Sequence, residues 1–330
     1  MSPRFRTRLA LNGTWRIQPS DEALPPATWI HAVPVPGLVD LAEPRYEWKK
    51  FRHHYYQCLF DVDDNKALAF LVIEQAMFGT EVWLNGEHLG GDIACYTSQE
   101  YDLRHALKPG TRNELVVRVG QKEHLPPHSA AGKDQERTEW IPGIWGDVYI
   151  VQCGNPRVKL VQVIPLLDSA SAEVRLTIEN RSDEPVLCTA VSTVFEKKSA
   201  RKVGESMETT FTIRAQSAAL SISTHAIAGM NLWSPDSPFL YEVETVITCI
   251  GKTVDAVRTT FGMREFKIVG SDFHLNGTRI FLKGGNIAFH RFLSDADRGT
   301  LPWNQEWIRK LLIDPYFSSL CSSMTKTESP

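Results

Sequence analysis

Residues 272–286, DFHLNGTRIFLKGGN, constrain this chain most, because of where they fall in it. Asn276-Gly277 suits a two-residue turn with positive φ at both positions, so Phe273 and Leu275 are expected to face Ile280 and Leu282 across a hairpin. The hairpin feeds a strand of buried type that ends at Gly284-Gly285-Asn286. Only 44 of the 330 residues follow. They contain the first convincing helical pattern, Pro302–Leu312. Trp303, Trp307 and Leu311 recur at i, i+4 and i+8, and Ile308 and Leu312 widen the stripe. Pro302 is tolerated in a first turn. A strand followed by an amphipathic helix is the opening of a βα unit.

Everything upstream reads as strands. Phe70–Ile73, Thr80–Leu84, Asn113–Val119 and Val148–Val151 are short β-branched or alternating runs bounded by Gly, Pro, Asn and Asp. Thr80–Leu89 is a two-residue hairpin around Asn85-Gly86. The same Leu-Asn-Gly word recurs at Leu11–Gly13 and Leu275–Gly277, and all three are read as turn chemistry. The stretch to about residue 153 predicts a sandwich or jelly roll. Asn155-Pro156 reads as a linker. A second series follows: Val158–Leu167, Ala172–Glu179, Val186–Phe195, Met207–Ile213 and Phe239–Ile250. Glu173, Arg175, Thr177 and Glu179 alternate with Val174, Leu176 and Ile178. About 100 residues with roughly seven strands fit an immunoglobulin-like sandwich. The expected division is mainly β: a jelly roll over 1–154, an immunoglobulin-like sandwich over 155–266, the first βα unit over 267–313, and a tail over 314–330. The tail is rich in Ser and Thr and breaks off the helix-to-strand connection. It reads as out-of-frame or aberrantly spliced sequence, or as a disordered end.

Hydrophobic residues make up 42% of the chain and charged residues 23%, at a net charge of −3. That balance, without local Lys/Arg clustering, argues against nucleic-acid binding. The N-terminus has basic residues but no apolar run after them, and nowhere do about 18 apolar residues occur together. No membrane partner and a cytoplasmic location are expected. Six cysteines are scattered without a CxxC pair, so no zinc ribbon or redox motif is expected. An inter-sheet bridge between Cys188 and Cys249 is weighed against free buried thiols, and the thiols are preferred because Trp233 is misplaced for an antibody-type domain. No cofactor and no metal site are expected; His124 and His128 flank Pro126-Pro127 and share no helix face.

Several words, in order, carry a resemblance. LNGTW (Leu11–Trp15), Pro36-Gly37, EVWLNGEHLG (Glu81–Gly90), the run Tyr96–Val119 and GIWGDVYI (Gly143–Ile150) span the first domain. LWSPDSPFLYEVE (Leu232–Glu244), FGMREF (Phe261–Phe266) and the run Phe273–Asn286 follow. Together they resemble family 2 glycoside hydrolases, which include β-galactosidases, β-glucuronidases and β-mannosidases. Two departures stand out. Gly146 occupies a position where the family commonly has Arg, and Ile287-Ala288-Phe289-His290 replaces the Arg/Lys-His-Glu that galactosidase-like members place after the Asn.

The resemblance implies a (β/α)8 barrel and a retaining mechanism with two glutamates about 5–5.5 Å apart. A barrel takes around 250 residues, so neither glutamate is expected here and no catalytic residue is assigned. The only Asn-Glu pair, Asn113-Glu114, reads as part of a strand. Residues expected near a sugar are Asn286 at the end of the first barrel strand, His290 on the following loop, Asp134 in the polar loop Gln121–Glu139, and Trp140 and Trp145 as stacking candidates. Trp15, Trp83 and Trp233 read as core. The expected partner is a carbohydrate, a β-glycoside of the complete enzyme, and homo-oligomerisation is left open. The leading expectation is the N-terminal part of a retaining β-glycosidase, inactive alone. The alternatives are a noncatalytic carbohydrate-binding module and an assembly module.

Overall fold

The computed structural model describes residues 5–63, 66–132 and 140–282, with the isolated positions Glu306 and Arg309, both helical and exposed. The rest of the expected helix Pro302–Leu312, the strand end at Asn286 and the tail lie outside the described residues. The described chain is mainly β and falls into two compact units, one of residues 8–63, 69–132 and 140–151, the other of residues 5–7, 66–68 and 152–282.

The first unit is built on a six-stranded antiparallel sheet. Its order is His31–Val35, Gly13–Ser20, His53–Asp61, Arg112–Gly120, Thr80–Leu84, Glu87–Asp92. A second sheet runs Thr7–Ala10, Val148–Cys153, Leu68–Ile73, Gln99–Asp102, and a small third joins Gly37–Leu38, Gly143–Ile144 and Ala76–Met77. Alternation drives the packing: Leu115, Val117 and Val119 enter the core together with Leu71, Ile73, Val82 and Leu84, while Val116 is buried with Tyr55 and Trp83 in a separate cluster. Strand Leu68–Ile73 is buried at every position, as its unbroken apolar run requires.

The second unit has seven main strands in two sheets. Arg157–Leu166, Ser171–Asn180 and Ser217–Ala226 form one. Lys202–Ile213, Val186–Glu196, Tyr241–Cys249 and Lys252–Phe261 form the other. Val174 and Ile178 meet Ala190, Val194, Val243 and Ile247 in the core. Glu179 departs from the alternation expected of it. It is buried at 7% exposure, where Arg157, Lys159 and Arg181 surround its carboxylate. The arginine hydrogen bonds outweigh the opposing effect of burial and hold its pKa below the usual carboxylate range. Strands Ser217–Ala226 and Lys252–Phe261 carry too many Ser, Thr and charged residues to stand out in the sequence.

The cysteine geometry bears on the bridge weighed against free thiols. Cys188 and Cys249 lie one step beyond the Thr189–Thr248 pair of neighbouring strands in the same sheet, so a bridge between them would not join two sheets. Both are free thiols, as are Cys58, Cys95 and Cys153.

The three Leu-Asn-Gly words diverge. Asn85-Gly86 and Asn276-Gly277 have φ of 52° and 84°, and of 52° and 80°, the double positive φ of a tight hairpin. At Leu11–Gly13 only Gly13 is positive. There the chain passes from one sheet to another. Asn12 Nδ2 donates to Asp147, Asn12 Oδ1 accepts from Val148 N, and Trp15 Nε1 donates to Leu11 O. This is a corner, not a hairpin.

The hairpin at the end of the described chain forms as expected, with Phe273 opposite Ile280, but Leu275 pairs with Thr278. A third strand, Phe266–Val269, adds to it. The buried strand expected beyond it is not seen at its start. Phe281 and Leu282 are 71% and 64% exposed, because no described residue packs over them. Among the described residues, no helix is long and apolar enough to cross a membrane.

Candidate functional site

The most developed site lies on the first unit, where strand Arg112–Gly120 runs out. Gln121 follows it and is buried. Its Nε2 donates to Trp48 O and Phe51 O, each at 3.0 Å, and lies 3.3 Å from His54 Nε2. A buried amide is held only where its hydrogen bonds are met, so Gln121 fixes the backbone of residues 48–51. His54 is fully buried on strand His53–Asp61, with Nδ1 2.9 Å from Tyr46 Oη. Burial, with the neighbouring His53, pushes its pKa down to about 3. The ring is therefore neutral. Nδ1 shares a hydrogen bond with Tyr46 Oη, while the two N–H groups of Gln121 go to Trp48 O and Phe51 O. Burial likewise raises the Tyr46 pKa, so the phenol stays protonated.

This braced segment forms one wall of an open pocket of about 470 Å³, in the size range of small-ligand sites. Trp48, Lys49 and Arg52 face His124 and Trp140 across it. Lys122 stands with Nζ 2.9 Å from the centre of the Trp140 ring and donates to Gly132 O. A second depression of about 610 Å³ adjoins it through Gln121 and His124 and contains His53, Glu81, Asp92 and Arg118. Burial first, then Arg118, Arg52 and His124, hold the His53 pKa down to about 4. Among the described residues no cluster of His, Cys, Asp and Glu is arranged to hold a metal ion.

Of the residues expected near a sugar, Asn286, His290 and Asp134 lie outside the described residues. Trp140 does line the pocket, but one ring face carries the Lys122 ammonium and its edge meets Phe78 at 6.3 Å. Trp145 is half-buried and packs edge-on to Tyr96 at 6.0 Å. Asn113 and Glu114 serve the sheet: Asn113 bonds Asn85 and the 108–111 loop, and Glu114 accepts from Gln57. Trp48 and Arg52 were missed. The one signal for them is the alternation of aromatic and basic types in Trp48-Lys49-Lys50-Phe51-Arg52. Gly146 also has a local reason. A Cβ there would stand 2.6 Å from Gln75 N and 2.9 Å from Glu74 Cβ, so the backbone of residues 74–75 leaves no room for a side chain.

The family model for glycosyl hydrolases family 2 matches residues 157–264, most of the second unit. A β-galactosidase of Clostridium acetobutylicum is 26% identical over 344 aligned positions, which cover 92% of this chain and 36% of that protein. A β-galactosidase of Halalkalibacterium halodurans is 28% identical over 240 positions, covering 70% and 22%. The solved β-glucuronidase 2 of Bacteroides uniformis shares the fold at a TM-score of 0.68 and 18% identity, over 84% of this chain and 35% of that one. The mainly β fold of this chain is shared with these glycoside hydrolases. The family model and these relatives support a member of glycosyl hydrolases family 2, and the chain spans about a third or less of the length of these relatives.

Proposed function

We propose that the chain is the N-terminal portion of a retaining β-glycosidase. In this reading residues 1–154 and 155–266 are its accessory sandwiches and 267–313 the opening of its catalytic barrel. The observation that carries it is coverage: the Clostridium β-galactosidase aligns with 92% of this chain, while the aligned part is 36% of that protein. The acid and the nucleophile are two carboxylates at barrel strand ends. The proposal places both outside these 330 residues, with a β-glycoside as the substrate of the complete protein.

Two measurements test this. The purified chain is expected to give no turnover of aryl β-galactosides, β-glucuronides or β-mannosides, and robust hydrolysis would overturn the assignment of both carboxylates to other sequence. Reading the coding DNA from codon 300 onward in all three frames is expected to reveal a continuing barrel with an Asn-Glu pair and a second glutamate. Their absence from every frame would favour a noncatalytic role.

A further inference from the structure

The second unit carries an apolar surface that its own core does not use. Strand Ser217–Ala226 lies inside out. Ser221 and His225 turn toward the core, at 7% and 2% exposure, while Leu220 and Ile222 point outward at 63% and 52%. We propose that the outer face of the sheet formed by Arg157–Leu166, Ser171–Asn180 and Ser217–Ala226 is the contact through which two copies of this chain associate about a two-fold axis. The inference goes beyond the hydrolase reading and does not depend on it, since it concerns self-association of these 330 residues.

Three observations carry it. The first is register. Ser217–Ala226 pairs with Ser171–Asn180 residue for residue along its whole length, so no one-residue slip hides Leu220 and Ile222. Leu220 lies opposite Thr177, which in turn faces Leu160 on the other edge strand, itself 59% exposed. Ile222 lies opposite Arg175, and half-buried Ile164 opposite Glu173. Apolar side chains thus flank a polar central strand on both sides, and contiguous exposed apolar surface of this kind marks an interaction site. The second is charge. The central strand offers this face one anion and one cation, Glu173 and Arg175, bonded to each other at 2.6 Å. A two-fold axis running across the strands between these two positions sets Arg175 of each copy against Glu173 of the other. The face is therefore complementary to itself. The third is area. Each strand has 10 residues. With strands about 4.8 Å apart and a rise of about 3.3 Å per residue, the face measures roughly 14 by 33 Å, or about 900 Å² for two copies. Two such sheets stack about 10 Å apart with their strands within about 30° of each other. An interface of this size lies at the low end of specific contacts, so the association is weak and depends on concentration.

The test is sedimentation equilibrium of the whole chain at concentrations up to about 200 µM, where a monomer–dimer equilibrium with a Kd in the micromolar range is expected. Leu220→Lys and Ile222→Lys alter exposed positions. Each should keep the melting temperature and weaken the dimer about tenfold or more. Glu173→Arg and Arg175→Glu should each weaken it likewise, by setting like charges together across the axis. An equimolar mixture of these two variants restores opposite charges at both contacts and is expected to associate about as tightly as the parent chain. Ile268→Asp, on the exposed strand Phe266–Val269, should leave the dimer unchanged. A chain that stays monomeric throughout leaves the face to another partner and overturns the proposal. So does a dimer indifferent to both lysine variants, a dimer lost only in Ile268→Asp, or a mixture that associates no better than its components.

Discussion

His54 shows how one buried side chain sets a pH limit. Its folded pKa is lowered to about 3, against about 6.5 for an unperturbed histidine. The folded state therefore binds fewer protons than the unfolded chain once the pH drops below about 6.5. Stability is unaffected above that value and falls as the pH is lowered toward 3. Between pH 6.5 and 5 this one group should remove about 2 kcal/mol. His54→Gln keeps a neutral polar group beside Tyr46 and Gln121 and cannot take up the proton. Its denaturant-unfolding free energy is expected to fall less over this interval than that of the parent chain. Parallel slopes for the two proteins would show that His54 is not the group that titrates.

At the scale of elements, the two true hairpins share a device. Asn85 Nδ2 donates to Ala106 O and Asn113 Oδ1, while its Oδ1 accepts from Glu114 N. Asn276 Oδ1 likewise accepts from Glu265 N, and Nδ2 donates to Trp233 O. Each turn asparagine thus adopts a positive φ and also pins a neighbouring segment. Asn85→Ala loses both properties and is expected to cost about 3 kcal/mol. Asn85→Gly keeps the turn and loses only the bonds, so it should cost less. If the two variants prove equally stable in urea unfolding, the backbone contribution is wrong. The hairpins were legible in the sequence because Asn-Gly specifies them locally. The corner at Asn12 was not, since Asp147 and Val148, which hold it, lie some 135 residues away. Glu179 escaped for a related reason: Arg157, which meets it in the interior, lies on the neighbouring strand, and strand alternation predicts only the face. The pocket was legible in part. Trp140 stood out beside Pro142-Gly143, but the 48–52 wall has no periodicity and becomes a site only once Gln121 holds it.

At the scale of the whole molecule, the two units have separate hydrophobic clusters with no buried residue in common. Leu71 and Ile247 are each fully buried, one in each cluster. Calorimetry is expected to resolve two transitions. Leu71→Ala should lower one and Ile247→Ala the other, each by the roughly 2–5 kcal/mol typical of an emptied core position. A single transition shifted by both variants would show one cooperative block. Five runs with period-2 character made the second unit readable as a sandwich. The first unit was readable only as many short strands, because its sheets interleave segments distant in sequence.

One contact orders these events in time. Asp255 is fully buried and accepts from Arg6 Nε at 3.1 Å, from Arg6 Nη2 at 2.5 Å and from Val158 N. Arg6 leaves the ribosome well before its partner, which comes 249 residues later. At about 5–20 residues per second, the arginine waits roughly 12–50 s for the carboxylate that seats it. The segment carrying Arg6 thus docks only after the strand carrying Asp255 has been synthesised.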